Sequence, residues 1–314
     1  MDKPLVSICC ITYNHAPFIR KCLDGFLMQK APSCVPKDAK MSDWCEILIH
    51  DDCSTDGTTD IIKEYAAKYP DLIFPLYEVE NQYSKGKAGK IDLYNYERAN
   101  GKYIAYCEGD DYWTEPLKLQ RQVDFLESHP DYSVTFHRCK HVNVSDGSEK
   151  DDDCGFLFPD NEDGVNIDVN LFFKHWITQP LTMVCRSSMH DISLAYKYKY
   201  YRDMHEIFHL LKEGKGYLFG FVGGVREKHP GGIASLISNR RYCELSLILD
   251  EEFYDFNPDE PGAKNNYLIT LQSCVYEFAK NNKRRAFKYA FKHVWMSHYL
   301  KTFFRNLKYI LCIK

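Results

Sequence analysis

The sequence has no apolar run approaching the roughly 18 to 20 residues that a helix needs to cross a bilayer. Its first apolar stretch, residues 5–12, leads directly into patterned sequence and does not have the form of a secretion signal. None of its 13 cysteines has C-x-x-C spacing, which excludes a zinc ribbon, and their odd number and scatter do not indicate a disulfide framework. We therefore expect a cytoplasmic protein in a reducing compartment.

The two common glycine-based phosphate cradles are also missing. A dinucleotide site needs G-x-G-x-x-G after a strand and a P-loop needs G-x-x-x-x-G-K-[ST], and neither pattern occurs. Carboxylates follow two of the predicted strands instead, and they are poor partners of phosphate unless a divalent cation lies between. Because carboxylate and phosphate oxygens together form the usual environment of Mg²⁺ or Mn²⁺, the sequence predicts a metal-bridged diphosphate ligand.

The order of predicted elements indicates an α/β fold. A hydrophobic content of 45% over 314 residues is enough for a large core and excludes disorder of the chain as a whole. Short apolar strands alternate with segments of helical periodicity, which predicts βαβ units and a Rossmann-like, mostly parallel sheet flanked by helices. The predicted strands are residues 5–12, 44–50, 72–77, 102–107, 133–142 and 181–186.

Oxygen-rich turns follow three of these strands. Their sequences are TYN at residues 12–14, DDCSTDG at residues 51–57 and EGDD at residues 108–111. Ligands of open α/β sheets bind beyond the carboxyl ends of the strands. We therefore expect the three turns to form one site, although a single aspartate at such a position is more often a turn or helix cap.

At these turns the chain resembles the family 2 glycosyltransferases of the GT-A fold, which transfer a sugar from a nucleotide diphosphate with inversion. Residues 6–14 (VSICCITYN) are similar to the opening strand and T-Y-N turn of the family. Residues 46–58 (EILIHDDCSTDGT) resemble its D-D-x-S-x-D-x-T element. Residues 101–113 (GKYIAYCEGDDYW) resemble its D-x-D element, in a subset where E-G-D-D-Y-W precedes a basic amphipathic helix, here residues 118–123. The resemblance is strong over residues 4–132 and weakens beyond them.

The resemblance implies a donor site on the first two turns and a metal site on the third. Thr12 and Tyr13 would line the base pocket, and Asp52 would hydrogen-bond uracil or ribose. Asp110 and Asp111 would share ribose and metal contacts, with Mn²⁺ or Mg²⁺ neutralising charge on the departing nucleoside diphosphate. The residues that the resemblance places against the donor are Thr12, Tyr13, Asn14, Asp51, Asp52 and Asp110.

His229 is a further candidate metal ligand. Residues 225–232 (VREKHPGG) resemble a family element that closes over the diphosphate or metal, although a loop histidine commonly has no such role. Glu108 stands where the family has the first residue of its usual acidic pair. The resemblance therefore leaves open which carboxylate, Asp110 or Asp111, ligates the metal.

Residues 201–211 carry the acceptor-side prediction. They resemble the acidic residue that begins an acceptor-side helix in the family, which makes Asp203 the candidate base for the acceptor hydroxyl and Glu206 the substitute. The alternative is that Asp203 is an ordinary N-cap of an amphipathic helix. Thr178 and Gln179 precede a predicted strand and are candidate acceptor contacts, with a plain polar turn as the alternative.

Charge is distributed unevenly along the chain. Residues 283–314 hold nine Lys or Arg and no Asp or Glu, and without them 31 basic side chains stand against 44 acidic ones, a net charge of −13. Aromatic residues are interleaved with these cations, a composition that suits the surface of an anionic membrane. The alternative is a C-terminal helix that packs its aromatics on the catalytic domain. We expect a chain ending at Asn282 to stay folded, and we expect no nucleic acid partner, because the acidic remainder would repel phosphate.

Together these patterns predict a metal-dependent inverting glycosyltransferase of polysaccharide or cell-envelope biosynthesis. Its donor would be a nucleotide diphosphate sugar, expected to be a UDP-sugar. Its acceptor would be a glycan or lipid-linked glycan, met by a peripheral protein at the inner face of the cytoplasmic membrane. We expect a nucleotide-sugar-binding half at residues 1–132, an acceptor-binding half of the same domain at 133–238 and a helical region at 239–314. The alternatives are a catalytically inactive GT-A-like module recruited through the basic tail, or a sugar nucleotidyltransferase.

Overall fold

The computed structural model describes residues 3–87, 90–158, 163–175, 177–232 and 237–313. Lys314, the last cation of the predicted tail, lies outside the described residues. The chain folds as two units. Unit 1 comprises residues 1–197 and 201–229, and unit 2 comprises residues 198–200 and 230–314.

Unit 1 is built on one sheet. The ten strands that the structure describes are β1 (Val6–Thr12), β2 (Cys45–Asp51), β3 (Ile73–Tyr77), β4 (Tyr103–Tyr106), β5 (Tyr112–Trp113), β6 (Tyr132–Asn143), β7 (Glu149–Asp151), β8 (Gly164–Ile167), β9 (Val184–Arg186) and β10 (Lys215–Lys228). Their order is β3-β2-β1-β4-β9-β6-β10-β5, with β7 paired to β6 and β8 paired to β10.

The parallel part of the sheet holds the sequence motifs. Neighbours within β3-β2-β1-β4 all run parallel, as do β6 and β10. The other pairs are antiparallel, so the sheet is mixed. The predicted α/β architecture is confirmed, and five of the six predicted strands overlap β1 to β4 and β6 over most of their length, whereas β9 covers only the second half of the predicted strand at 181–186.

Among the described residues, six helices of unit 1 accompany the sheet and four further helices lie in unit 2. They are α1 (Ile19–Leu27), α2 (Thr58–Lys68), α3 (Leu93–Tyr96), α4 (Lys118–Ser128), α5 (Val169–Lys174), α6 (Asp203–Glu213), α7 (Asn239–Phe256), α8 (Pro261–Ala279), α9 (Lys283–Ser297) and α10 (Leu300–Cys312). Among the described residues, no helix combines the length and apolar composition that crossing a membrane requires.

The position of β1 in the core of unit 1 explains why its sequence is almost entirely apolar. Val6, Ile8, Cys9 and Cys10 are all fully buried, because helices cover both faces of the parallel strands. Burying a Val or Ile side chain stabilises the fold by roughly 1.5 to 3 kcal/mol each. The edge where these strands end is thereby held on a rigid base.

Unit 2 has its own core, and the basic tail is part of it. Leu271 and Phe278 of α8 pack in one buried cluster with Ala286 and Ala290 of α9 and Ile310 of α10. A chain ending at Asn282 would lose two of the helices that cover α8. We therefore correct the expectation that such a chain stays folded, since its truncation would expose the core of unit 2.

Candidate active site

The carboxyl ends of β1, β2 and β4 bring the three oxygen-rich turns together. Thr12 at the end of β1 pairs in register with Asp51 at the end of β2. The backbone amide of Gly109, in the third turn, donates a hydrogen bond to the carbonyl of Ile11 at 2.9 Å. A side chain at Gly109 would meet Thr12, because a Cβ there would lie 2.7 Å from the Thr12 Oγ1. Glycine at this position is what allows the third turn to lie against β1.

The aspartate pair after β2 holds the neighbouring loops in place. Asp52 is buried, and its two carboxylate oxygens accept hydrogen bonds from the backbone amides of Gln82 at 2.7 Å and Tyr83 at 3.0 Å. Asp51 is fully buried and accepts hydrogen bonds from the Ser54 amide and from the hydroxyl of Thr59 in α2. Both aspartates therefore hold neighbouring segments in place, and this structural role does not depend on a bound ligand.

The first turn contributes one free hydroxyl and one exposed ring. The Thr12 Oγ1 is buried and has no hydrogen-bond partner within the described ranges. Tyr13 is 44% exposed. Asn14 has a φ of 55° and ties the first turn to the second, because its Oδ1 accepts a hydrogen bond from the Thr55 amide at 2.8 Å. A buried hydroxyl without a partner beside an exposed aromatic ring suits a polar ring ligand.

Three side chains converge as a candidate metal centre. The Asp110 Oδ2 lies 3.1 Å from the His229 Nε2 and 3.8 Å from the His15 Nε2. One ligand atom of each residue lies within 4.8 Å of the other two. Two imidazoles and a carboxylate at such spacing form a set of donors that a divalent ion can use.

The charge state of this group also fits a cation. Burial would raise the pKa of Asp110, but the hydrogen bond with His229 outweighs it and the pKa lies below the usual range of an aspartate. Burial lowers the pKa of His15, which favours the neutral imidazole that a metal needs. The second carboxylate oxygen of Asp110 is buried and finds no hydrogen-bond partner in the part of the chain that the structure describes. An ionised carboxylate with a free oxygen beside two histidines is what a metal ligand set requires.

Asp111 does not belong to this group. It is buried, its Oδ1 accepts a hydrogen bond from the backbone amide of Glu227 at 3.0 Å, and burial raises its pKa well above the usual range of an aspartate. Burial likewise raises the pKa of Glu108, reinforced by the charges of Asp110 and Asp111. Of the three residues predicted to bind metal, the structure thus brings Asp110 and His229 together and points Asp111 towards β10.

The candidate base begins α6. Asp203 is the first residue of this helix and Arg202 is its N-cap, so the N-cap lies one residue before the position that the alternative predicted. One Asp203 oxygen accepts a hydrogen bond from the Met204 amide at 2.9 Å, and burial raises the pKa of the carboxyl. Its other oxygen accepts no hydrogen bond from any residue that the structure describes. That oxygen is available to a ligand.

Glu206, one turn further along α6, is held by two side chains. The Tyr96 hydroxyl donates a hydrogen bond to its Oε2 at 3.3 Å, and the His190 Nε2 lies within ion-pair distance of its Oε1 at 3.1 Å. Glu206 is 6% exposed. These contacts fix its position, but its Oε1 is buried and makes no hydrogen bond within the described ranges, so Glu206, like Asp203, keeps an oxygen for a ligand.

A chain of charge interactions connects the metal group with the candidate base. Glu108 interacts with Asp110 on one side and with Asp92 on the other. Asp92 in turn interacts with Glu206 and Asp203, and burial raises its pKa to about 7. The candidate metal centre and the candidate base therefore belong to one electrostatic cluster.

Thr178 and Gln179 occupy different environments. Thr178 is fully buried, and its hydroxyl lacks a hydrogen-bond partner among the residues described. Gln179 is the N-cap of a short 3₁₀ helix, and its carbonyl accepts hydrogen bonds from the amide and hydroxyl of Thr182. The contacts of the Gln179 backbone are those of a polar turn, as the alternative predicted. Thr178 has a buried hydroxyl that is still available to a ligand.

Sequence reasoning missed three residues of the cluster. His15 directly follows the T-Y-N turn, and its place after a strand end was the signal that could have found it. Arg226 is exposed on β10 and interacts electrostatically with Glu108, Asp111 and Asp203. No local sequence pattern identifies Asp92 as part of the cluster. Asp92 is the N-cap of α3, and its place depends on how α3 packs against the sheet.

The helix after the E-G-D-D-Y-W motif differs from its predicted character. Lys118, expected on a basic amphipathic face, is fully buried, with its Nζ 4.0 Å from the centre of the Trp113 ring. The Nζ has no hydrogen-bond partner across the described ranges, and burial lowers its pKa to about 7. The first residue of the helix is therefore part of the core beneath the third turn.

Comparison with solved structures shows which fold the chain has, and a family model shows which family it belongs to. The crystal structure of S. aureus TarS in complex with UDP-GlcNAc matches with a TM-score of 0.66 at 17% sequence identity, covering 93% of this chain and 81% of that one. The likeness confirms the predicted GT-A fold with C-terminal helices. The profile of Glycosyl transferase family 2 matches residues 7–180, more than half of the chain. The chain belongs to this family.

Two relatives show how far the sequence likeness reaches. An uncharacterized protein of Mycobacterium tuberculosis is 42% identical over 144 residues, which are 46% of this chain and 37% of that protein. WfaP of Escherichia coli, named a UDP-Glc:alpha-D-GlcNAc-diphosphoundecaprenol beta-1,3-glucosyltransferase, is 34% identical over 124 residues, which are 40% of this chain and 42% of that protein. The chain thus matches well under half the length of these relatives.

Proposed function

We propose that this chain transfers a sugar from a UDP-sugar to a hydroxyl of a glycan or lipid-linked glycan, with inversion at the anomeric carbon. The observation that carries the proposal is the single charge cluster that contains a candidate metal centre and a free, rigidly placed carboxylate beyond the ends of parallel strands. Family membership supports the transfer of a sugar. The name of WfaP, with a UDP-sugar donor and a lipid diphosphate acceptor, supports the substrate classes.

The donor would lie on the first two turns. The unpartnered hydroxyl of Thr12 and the exposed ring of Tyr13 are suited to the uracil base. Asp52 has a lone pair left on each oxygen for uracil or ribose after binding two amides. Arg226 is an exposed cation that interacts electrostatically with Glu108, Asp111 and Asp203, and it would pair with the diphosphate.

A divalent ion would be held by His15, Asp110 and His229. Their unsatisfied oxygen and neutral imidazole fit such an ion, and two imidazole ligands favour Mn²⁺ over Mg²⁺, which prefers oxygen ligands throughout. When bound, it would neutralise negative charge on the departing nucleoside diphosphate. We assign no metal contact to Asp111, because its carboxylate is turned to the Glu227 amide.

The base in this proposal is Asp203. The free oxygen of Asp203 takes the proton of the acceptor hydroxyl. At the same time the acceptor oxygen forms the new bond to the anomeric carbon. The bond from the anomeric carbon to the diphosphate breaks on the opposite face, and its electron pair leaves with the nucleoside diphosphate. A pKa raised by burial makes Asp203 a stronger base than an exposed aspartate.

The two predicted halves of the catalytic region divide these tasks, and the side chains concerned all lie in unit 1. Residues 1–132 supply the donor contacts and Asp110, and residues 133–238 supply Asp203, Glu206 and the acceptor contact Thr178. We place the reaction in the cytoplasm, where a peripheral protein would meet nucleotide sugars and the inner face of the membrane. Polysaccharide or cell-envelope synthesis is the process that such substrates serve.

The test is a screen of nucleotide sugars with Mn²⁺, read as protection against thermal unfolding and as donor hydrolysis. We expect a UDP-sugar to give the largest effect. With the donor identified, Asp203→Asn should lose transfer by roughly 10²-fold or more while donor binding stays near wild type, because a general base acts on the transition state. Glu213→Gln, an exposed carboxylate at the other end of α6, is the matched control and should retain activity. Near-wild-type turnover of Asp203→Asn would move the base to Glu206.

A further inference from the structure

The last two helices of unit 2 expose large apolar side chains that face solvent. Trp295 is 75% exposed and Tyr299 is 70% exposed, although the opposite sides of the same helices are buried in the core of unit 2. α9 and α10 pack together, with the rings of Phe291 and Phe303 4.9 Å apart. The exposed apolar side chains of this pair are Phe291, Trp295, Tyr299, Leu300, Phe304 and Leu311, which we call the aromatic face.

Cations without partners accompany the aromatic face. Of the basic residues in α9 and α10, Arg285 pairs with Glu244 and Lys292 pairs with Glu251, both acids of α7. The remaining six are paired with no acid among residues 3–87, 90–158, 163–175, 177–232 and 237–313. They are Lys283, Arg284, Lys288, Lys301, Arg305 and Lys308. The two helices contain no Asp or Glu, so the missing negative charge must come from outside them.

Helical spacing puts some of these cations beside the apolar residues. On α9, Lys288, Phe291 and Trp295 follow one another at intervals of three and four residues and share one side of the helix. On α10, Phe304 and Lys308 are four residues apart and are both exposed. Aromatic rings and cations thus occur together along one exposed stretch rather than on separate sides.

We propose that the aromatic face docks on the surface of an anionic lipid bilayer, with its rings at the boundary of headgroups and acyl chains and its cations on lipid phosphates. Amphipathic helices with this composition lie in the plane of the interface, and Trp and Tyr are enriched there. The charge of the helices complements a surface that carries anionic lipids. This docking is independent of the sugar-transfer chemistry proposed above.

A second copy of the chain fits the face less well. A symmetric dimer buries the same patch of both copies, so the cations of the two patches would be brought together, and the two helices supply no acid to pair with them. Like charges placed together oppose association, whereas a bilayer surface supplies phosphates at every position. The bilayer is therefore the occupant that satisfies both the rings and the charges.

The test is flotation of the full-length chain with vesicles of phosphatidylcholine alone or of phosphatidylcholine mixed with phosphatidylglycerol. We expect the mixed vesicles to bind about ten times more protein at low salt, and high salt to reduce that binding. The tryptophan emission of the protein, which has four tryptophans, should shift to shorter wavelength on binding, because the exposed ring of Trp295 leaves water. This measurement uses the wild-type protein, so its result does not depend on whether a variant folds.

Two pairs of variants locate the surface. Trp295→Ser/Tyr299→Ser/Phe304→Ser should reduce binding at least about ten-fold, whereas Tyr242→Ser/Ile269→Ser, exposed apolar residues of α7 and α8, should not. Lys301→Glu/Arg305→Glu/Lys308→Glu should abolish binding to the mixed vesicles. The matched control, Lys30→Glu/Lys37→Glu/Lys63→Glu in unit 1, makes the same change of net charge and should bind as wild type.

Three results would overturn the proposal. One is wild-type protein that ignores both kinds of vesicle and shows no emission shift. Another is equal loss of binding in the control variants, which would mean attraction by net charge alone. The third is a dimer in light scattering that the triple serine variant converts to a monomer without any vesicle binding, which would assign the aromatic face to a second copy.

Discussion

Replacing Lys118 with methionine should stabilise this protein, although lysine is the residue that begins α4. The side chain is fully buried against Trp113, and its amine has no hydrogen-bond partner in the described residues. Methionine has a similar length and no charge, so it can fill the same space without leaving an unpaired polar atom. The change removes the cost of burying an ionisable group.

The size of that cost follows from the pKa. A fall from 10.5 in the unfolded chain to about 7 in the fold corresponds to about 5 kcal/mol of lost stability at pH values below 7. Repacking a methionine in the space beside the Trp113 ring costs up to about 1.5 kcal/mol. We therefore expect Lys118→Met to raise the free energy of unfolding at pH 7 by about 3 kcal/mol.

The pH dependence has a definite sign. Between about pH 7 and 10.5 the unfolded lysine is charged and the folded lysine is neutral, so the unfolded state binds more protons and stability rises with pH. Urea unfolding followed by tryptophan fluorescence should show the advantage of Lys118→Met shrinking by about 1.4 kcal/mol per pH unit between pH 7.5 and 9.5. An advantage that is absent at pH 7.5, or that does not change with pH, would refute the reasoning.

Two further predictions concern the active site. His15→Ala should weaken Mn²⁺ binding by about ten-fold or more in calorimetry, because the His15 ring nitrogen lies with Asp110 and His229. Asp111→Asn should change Mn²⁺ binding far less, because the Asp111 carboxylate accepts a hydrogen bond from the Glu227 amide instead. Equal losses in both variants would contradict the ligand set. Because burial raises the pKa of Asp203, the rate of transfer should fall with decreasing pH at a higher pH than for an exposed aspartate, and this acid limb should disappear in Asp203→Asn.

The strands and turns were predictable because their signals are local. An apolar run such as residues 6–12 is typical of a strand buried on both faces of a parallel sheet, and neighbouring parallel strands have their carboxyl ends at the same edge. The convergence of residues 12–14, 51–57 and 108–111 follows from that geometry alone. Asp110 and His229 could be found because each lies in a motif whose resemblance carried a role.

The rest of the cluster depends on contacts between distant segments. Periodicity placed Lys118 on a basic helical face, and only the position of Trp113 beneath it shows that the amine is buried. Tyr96 of α3 and Glu206 of α6 are 110 residues apart in the sequence and are joined by a hydrogen bond of 3.3 Å. The prediction that the chain stays folded without the basic tail was wrong for the same reason. Composition indicates the exposed cations and aromatic residues of the tail, but it does not show that Ala286 and Ile310 pack in the core of unit 2.

The most direct test of the central claim is calorimetry of UDP binding with Mn²⁺ and again with excess chelator. A metal-assisted sugar transferase of the kind proposed requires tight binding with Mn²⁺, a large loss of affinity with chelator, and the same loss in Asp110→Ala when Mn²⁺ is present. Equal UDP affinity with Mn²⁺ and with chelator would contradict the metal centre at His15, Asp110 and His229.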